Sequence, residues 1–488
     1  MARSHFATDK EEEMKKTVKD NRIVEDFSTA NHDLCRDAIL GFCESPLFSD
    51  NEHRYEEAYF GRRLRPHVVK HLNFTKPALP SELANYTAFA ANRILFTMNE
   101  VDFLMMPSGK IDTTAFSKRY SDEKIAQAYL GMPYLEKYLF SFLDDEIVLS
   151  SNWTMRTVKE YFSNFCIEAR RLDTLPSAEA IVNAKQPATA ARDWLVQLAP
   201  DFLIESSPMA RYASGNYGAL SSSLFKIIID ELGYGEYKRK HSTLFEETMK
   251  SAGLDPEPHK YWQYYLNGSL MLANYYNRIT RNRRNIFRYI GAIFLAETGF
   301  IRSCAIWRDA LKSAIPELDV RYFDEHCHID IDHSRMAFDS LVRPSIEKYG
   351  QFAANEIVRG FEEARWISEF AENDFVEQIR WKEEAEENTL KYRKIWPKVQ
   401  AAYEAGSLTR VLLDEPRGEL SITHSHDGDE LCHVTSGEME FLNGFQLSST
   451  LKDDDGIIIR HHRLHGALIH SENCKYEIYT IGDVSKWL

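Results

Sequence analysis

A chain of 488 residues is too long for one typical domain, and 44% hydrophobic with 27% charged residues describes an ordinary globular protein with ample core. The net charge of −15 argues against nucleic acid as a main partner, because phosphate binding needs a basic surface. Seven scattered cysteines without a CxxC pair speak against a disulfide framework and fit free thiols in a reducing, cytoplasmic compartment.

Residues 1–26 open with MARSHFATDKEEEMKKTVKDN, a charged stretch without the apolar core of a signal peptide, and are expected to be disordered. No run approaches the ~18 apolar residues of a membrane span, so no membrane partner is expected. Residues 27–150 read as a helical region without a convergent ligand pattern, suited to scaffolding or subunit contact. Between 151 and 392 apolar residues recur at three- and four-residue spacing, as in AARDWLVQLAPDFLIE, NIFRYIGAIFLAE and ANEIVRGFEEARWISEF.

These helices carry carboxylates in unexpected places. Glu205 sits in APDFLIESSP, and Glu297 lies in the otherwise apolar GAIFLAETGF. Burying a lone carboxylate is costly, so each asks for a proton, a cation or a metal. Between them, IIIDELGYGEYKRKH offers Glu231 and His241, with Gly233 and Gly235 breaking the chain between two helices. Further on comes YFDEHCHIDIDH, residues 322–333. On a helix at about 100° per residue, His326, Asp330 and His333 fall within an arc of about 60°, while Asp324, His328 and Asp332 face nearly the other way. On a strand, His326, His328, Asp330 and Asp332 would share a face instead. The helix is preferred because MAFDSLV continues a helical pattern. His328 and Asp332 then belong to a solvated or supporting face, and Cys327 to packing. Three Glu, one Asp and three His suit a non-haem di-iron site in a helical bundle, carboxylates bridging and imidazoles at the ends.

After WPKV, near residue 393, the texture changes. RVLLDE, ELSITHSH, GEMEFL, GIIIRH and KYEIYTIG are short, β-branched and separated by turns, so residues 393–488 are expected to form a small β-barrel. Gly418–Gly437 reads GELSITHSHDGDELCHVTSG. His424 and His426, two apart on a strand, point the same way; Glu430 can join them as a ligand or hold an imidazole from behind. IIIRHHRLHGALIH offers His461, His462, His465 and His470 for the third position. His433 and His470 read as structural. Three histidines with open positions favour Fe(II) or another first-row divalent ion, with zinc or manganese still compatible.

Both halves resemble known families. Glu205, Glu231-x9-His241, Glu297 and His326-x3-Asp330-x2-His333 look like the ligand set of the haem-oxygenase-like di-iron oxidases and oxygenases. GELSITHSHDGDELCHVTSG matches the first cupin motif, G-x5-H-x-H-x3-E-x6-G, at every fixed position; the second motif's Pro, the Gly before its His and its terminal Asn are absent. His465, in RLHGA, is chosen as the third histidine because it follows a strand–turn pattern as the histidine of the second cupin motif does. The fusion is similar to the N-nitrosourea-forming multidomain metalloenzymes of streptozotocin biosynthesis. RRLRPHVVKHL, SFLDDE, HSTLFE, YWQYYLN, EIVRGFEE and RLHGA carry that likeness across all three regions.

The resemblance implies a multidomain fold: a helical dimerisation domain (27–150), a haem-oxygenase-like di-iron N-oxygenase domain (151–392) and a C-terminal cupin with one iron (393–488). It implies Fe(II) as cofactor, two ions in the helical domain and one in the cupin, with O2 as co-substrate, an external electron donor and a homodimer. The implied reaction is N-hydroxylation of N-omega-methyl-L-arginine at Nδ and Nω′, then oxidative rearrangement in the cupin to an N-nitrosourea. A related reading keeps N-oxygenation but changes the substrate to another guanidine or an amine, giving a nitro group or a diazeniumdiolate. A non-enzymatic, ligand-sensing reading requires an output domain or a basic DNA-reading helix, and the sequence displays neither.

Overall fold

The computed structural model describes residues 32–48, 64, 77–106, 109, 111–150, 152–215 and 218–488; the expected disordered start, 1–26, lies outside them. The N-terminal helices are α1 (His32–Cys43), α2 (Tyr86–Asn99), α3 (Thr113–Arg119) and α4 (Asp122–Phe140). Their starts follow from capping: Asp112 accepts from the amides of Thr114 and Ala115, and Ser121 accepts from Lys124, satisfying donors that the first turn leaves unpaired. Every residue of α2 from Ala88 to Asn99 is buried, so this helix is wrapped on all sides rather than amphipathic.

The central bundle comprises α5 (Met155–Arg170), α6 (Pro176–Val182), α7 (Pro187–Phe202), α8 (Ala219–Glu231), α9 (His241–Ser251), α10 (Asn267–Arg281), α11 (Ile286–Ala314), α12 (Arg321–Met336) and α13 (Arg343–Glu383), with a π-helical turn at Ala337–Val342 joining the last two. Its axis is the crossing of α11 and α13. A Cβ on Gly291 would stand 1.8 Å from the Ile357 carbonyl oxygen, and one on Gly360 would stand 2.0 Å from that of Arg288. Only two bare glycines let these backbones approach so closely. The stretch Arg283–Ala314 is long and apolar enough to cross a membrane by length and composition only; Arg288, Glu297, Arg302 and Arg308 interrupt its apolar runs. Half of it is buried inside the protein, where it packs on α12 and α13 as the core helix of the bundle.

α14 (Ala385–Glu404) carries the helical texture past residue 393, through WPKV with Pro397 inside the helix. Its Tyr392, Ile395 and Val399 pack on Leu431, Ile458 and Tyr479 of the β-region, so the helix is a lid on the sheet. The strands are β1 (Arg410–Pro416), β2 (Asp429–Ser436), β3 (Glu438–Gly444), β4 (Leu447–Lys452), β5 (Gly456–Ile459), β6 (Gly466–Ile469) and β7 (Asn473–Gly482). They form two antiparallel sheets, ordered β1-β7-β2-β5 and β4-β3-β6. Cys432, Val434, Phe441, Ile457 and Ile469 fill the space between them.

The three regions are riveted together. Arg93 on α2 is buried and donates to the Thr423 carbonyl (2.5 Å), to Thr423 Oγ1 (3.0 Å) and to the Gln263 carbonyl (3.2 Å). Asn92, Asn99, Asn267 and Asn274 form a hydrogen-bonded ladder between α2 and α10.

Candidate metal centres

In the bundle, the seven residues singled out in the sequence come from five elements. Glu205 follows the end of α7, Glu231 closes α8, His241 opens α9, Glu297 lies mid-way along α11, and α12 supplies His326, Asp330 and His333. All three α12 residues are buried, on one face. His328 and Asp332 are on the other: both are exposed, with His328 bonded to the Asp324 carbonyl and Asp332 paired with Arg335.

Two donor sets emerge. Glu205, Glu231, His241 and His326 each offer one atom to a common point, their donor atoms lying within 4.8 Å of one another, and so do Glu231, Glu297 and His333. Glu231 belongs to both. Its Oε2 lies 2.8 Å from His241 Nδ1 and its Oε1 3.4 Å from His333 Nδ1. Glu205 Oε1 is 3.2 Å from His326 Nε2, and Glu297 Oε2 is 3.1 Å from His333 Nδ1. Asp330 stands at the edge of the second set, 3.7 Å from His333 Nδ1, and neither of its oxygens accepts a hydrogen bond among the described residues.

The supporting contacts fix which nitrogen of each ring faces inward. His326 donates Nδ1–H to the Tyr322 carbonyl (2.8 Å), turning Nε2 toward Glu205. His333 does the reverse: Nδ1 faces the carboxylates, and Nε2 lies 3.2 Å from Asp230 Oδ2. Tyr322 donates its hydroxyl to Glu205 Oε1 at 2.9 Å. Asp230 and Tyr322 were not anticipated. The signal for Asp230 was an acid ending an apolar helix, obscured by Glu231 beside it.

The residues fit two divalent cations. Glu205, Glu231, Glu297 and Asp330 bring four negative charges into one buried volume, matching two such ions. With protein groups alone, protons take up the imbalance. Burial and the neighbouring Glu297 push the Asp330 carboxyl well above its usual range. Burial opposes charging His333, yet Glu297, Glu231 and Asp230 raise it to about 9. Burial likewise opposes ionising Glu231, but His241, His326 and His333 outweigh it and hold the carboxyl at about 2. A mixture of carboxylates and imidazoles, with one carboxylate reaching two donor sets, is the chemistry of a non-haem iron pair. Glu205, Glu231, Glu297 and His326 also line a cavity of about 370 Å³, walled by Trp194, Phe202, Tyr276, Tyr289, Phe300 and Trp307.

In the β-region, His424, His426 and His465 converge, their donor atoms within 4.8 Å of one another. The segment bearing His424 is not the continuous strand expected; it meets its neighbour through two isolated bridges, Leu420–Leu468 and His424–His465. His424 and His465 exchange both backbone hydrogen bonds, each 3.0 Å. Each ring then points its Nδ1 at a nearby carbonyl, Ile422 at 2.7 Å and Arg463 at 2.9 Å, which aims Nε2 at the shared point. His424 Nε2 and His426 Nε2 approach to 3.1 Å, a spacing normal for two donors about 2.1 Å from one ion. Glu430 Oε2 lies 3.0 Å from His426 Nε2, within reach of either role foreseen for it; burial pushes its carboxyl up to about 7.

The remaining histidines lie elsewhere. His461 is bound to Asp429, His470 to Glu440, and His433 is stacked on Trp396. From the N-terminal region, the Tyr86 ring approaches His424 edge-on at 6.1 Å, and the Tyr86 amide donates to Asp427 Oδ1 at 2.9 Å. A residue more than 330 positions away in the chain was beyond any local motif.

A helical bundle with paired carboxylate–imidazole sets, followed by a cupin-like β-domain with three convergent histidines, defines an iron-dependent oxygenase. Residues 192–367 match the family model described as iron-containing redox enzyme. The chain is 40% identical over 459 residues to the nitrosourea synthase of Streptomyces achromogenes subsp. streptozoticus, covering 93% of this chain and 96% of that protein. It belongs to the nitrosourea synthase family.

Proposed function

We propose that this chain is an N-nitrosourea synthase acting on N-omega-methyl-L-arginine. The observation that carries the reading is the coexistence of the two clusters. Glu231 reaches both donor sets in the bundle, and His424, His426 and His465 form a separate set in the β-domain. Glu205, Glu231, His241, Glu297, His326, Asp330 and His333 would hold two irons; His424, His426 and His465 would hold a third. Iron bound at these sites supplies O2 activation.

The chain's own groups do the rest. Tyr322 and Asp230 fix Glu205 and His333, so that the donor set is organised before substrate arrives. The aromatic walls make the cavity beside Glu205 and Glu297 largely apolar. The guanidine is hydroxylated there at Nδ and at Nω′. Each hydroxylation takes one O2, two electrons from an external donor and two protons, and releases one water. The dihydroxylated guanidine would then rearrange at the β-domain cluster, where Glu430 and Tyr86 flank the histidines; this four-electron oxidation takes up one further O2, adds one oxygen to the product and releases the other as water with two substrate hydrogens. The exposed apolar residues Leu104, Met106, Tyr129 and Leu130 of the N-terminal region support a homodimer through residues 27–150.

Incubating the iron-loaded protein with N-methylarginine, a reductant and air tests the reading. Mass spectrometry is expected to find mono- and dihydroxylated intermediates and an N-nitroso product. Full iron loading without any of these products overturns it.

A further inference from the structure

The cavity beside the bundle cluster contains a carboxylate that the cluster does not use. Asp201 lies in the last turn of α7, one helical turn before Glu205, and both line the cavity. Its side chain is partly buried and lines the cavity. Among the described residues no hydrogen bond or ion pair reaches this carboxylate. Its charged neighbour is Glu205, of like sign; burial and that neighbour push the Asp201 carboxyl up to about 7. A partly buried acid beside a like charge favours a cation in the cavity, and among the described residues no protein cation is paired with it. The cavity's basic residue, Arg365, is already engaged by Glu362. Glu369 and Glu372 add further negative charge to the wall that α13 provides. Even with the four carboxylates of the cluster neutralised by iron, the cavity keeps an acidic balance.

The surroundings favour a flat cation over a spherical one. Tyr276, Tyr289, Trp194 and Trp307 line the same cavity, and a guanidinium stacks on aromatic rings while pairing with a carboxylate through two parallel N–H bonds. Burial and the nearby charges of Asp201 and Glu297 push the Tyr276 hydroxyl up.

We propose that Asp201 is the recognition residue for a guanidinium substrate, binding one edge of the planar cation so that another edge faces Glu205 and Glu297. The amino-acid end of the substrate then extends toward Arg365, Glu369 and Glu372 on α13. This assignment rests on the proposed function for its substrate class and names the residue that selects it.

The test is anaerobic equilibrium binding to the iron-loaded full chain, with N-methylarginine, arginine and agmatine as cations and N-methylcitrulline, in which a neutral urea replaces the guanidinium. In the parent protein the cations are expected to bind more tightly than the urea. Asp201→Asn should weaken the cations at least about tenfold, leave N-methylcitrulline within about twofold and leave iron content unchanged. Asp201→Glu should restore part of the cation preference. Equal weakening of both classes, no change in either, or loss of iron in Asp201→Asn overturns the inference. So does a parent protein that does not distinguish cation from urea. If guanidinium compounds bind in an Asp201-dependent way but N-methylarginine gives no nitroso product, the proposed function fails and the recognition role stands.

Discussion

Glu231, the last residue of α8, meets His241, the first of α9, at 2.8 Å across a turn built on Gly233 and Gly235. Gly233 adopts φ +61°, and a Cβ there would lie 2.5 Å from the Lys240 amide nitrogen and 2.6 Å from the Arg239 carbonyl carbon. A β-branched residue is strained in that region and overlaps main chain that does not yield. Gly233→Val is therefore expected to displace His241 and to lower iron from about three per chain toward about one, the β-domain ion remaining. Metal analysis and Mössbauer spectroscopy of the reconstituted variant read the loss directly. Retention of the full complement would show that the turn does not set the Glu231–His241 distance.

Asp230 holds His333 from outside. Asp230→Asn keeps the size of the side chain but replaces a charged acceptor with a neutral one, and affinity at the Glu231–Glu297–His333 set should fall about 10–100-fold. Competition against a chelator measures it. The β-domain iron should be indifferent to this change.

The two clusters separate by chemistry. His465→Ala should leave N-hydroxylation running and let the dihydroxylated guanidine accumulate, whereas Glu297→Ala should abolish hydroxylation, with residual activity below about 1%. Single-turnover product analysis distinguishes them, and a nitroso product from His465→Ala would disprove the division of labour.

His433 makes a prediction about pH. It is buried against Trp396, its Nδ1 pairs with the Tyr392 hydroxyl at 2.7 Å, and burial lowers its pKa below 6.5. The unfolded chain therefore binds this proton more readily than the folded one. The stabilisation is whole above pH 6.5 and is lost as pH falls from there toward the folded value. Using iron-free protein, the drop in Tm between pH 7.5 and 5.5 should be smaller for His433→Gln than for the parent. The raised histidines of the bundle act in the opposite sense and cancel in that comparison.

Much of this site was legible because helix geometry is regular. The spacing of His326, Asp330 and His333 placed three donors on one face and turned His328 and Asp332 to solvent. Glu205 and Glu297 stood out because carboxylates in apolar surroundings need a reason. Legibility ended where the chain doubles back. Asp230 was hidden by its neighbour, no local pattern singled out Asp201 before the cavity appeared, and Tyr86 reaches His424 only through tertiary packing. The Pro in WPKV read as the end of the helices, yet α14 continues to Glu404 because its apolar face has a sheet to cover.

The contact of Arg93 with Thr423 has a consequence for how the molecule is made. The segment leading to the three convergent histidines of the β-domain docks on a helix translated more than 300 residues before it. Helix α2 thus serves as a waiting template, and the histidine cluster of the β-domain is seated only when this later segment folds back on it.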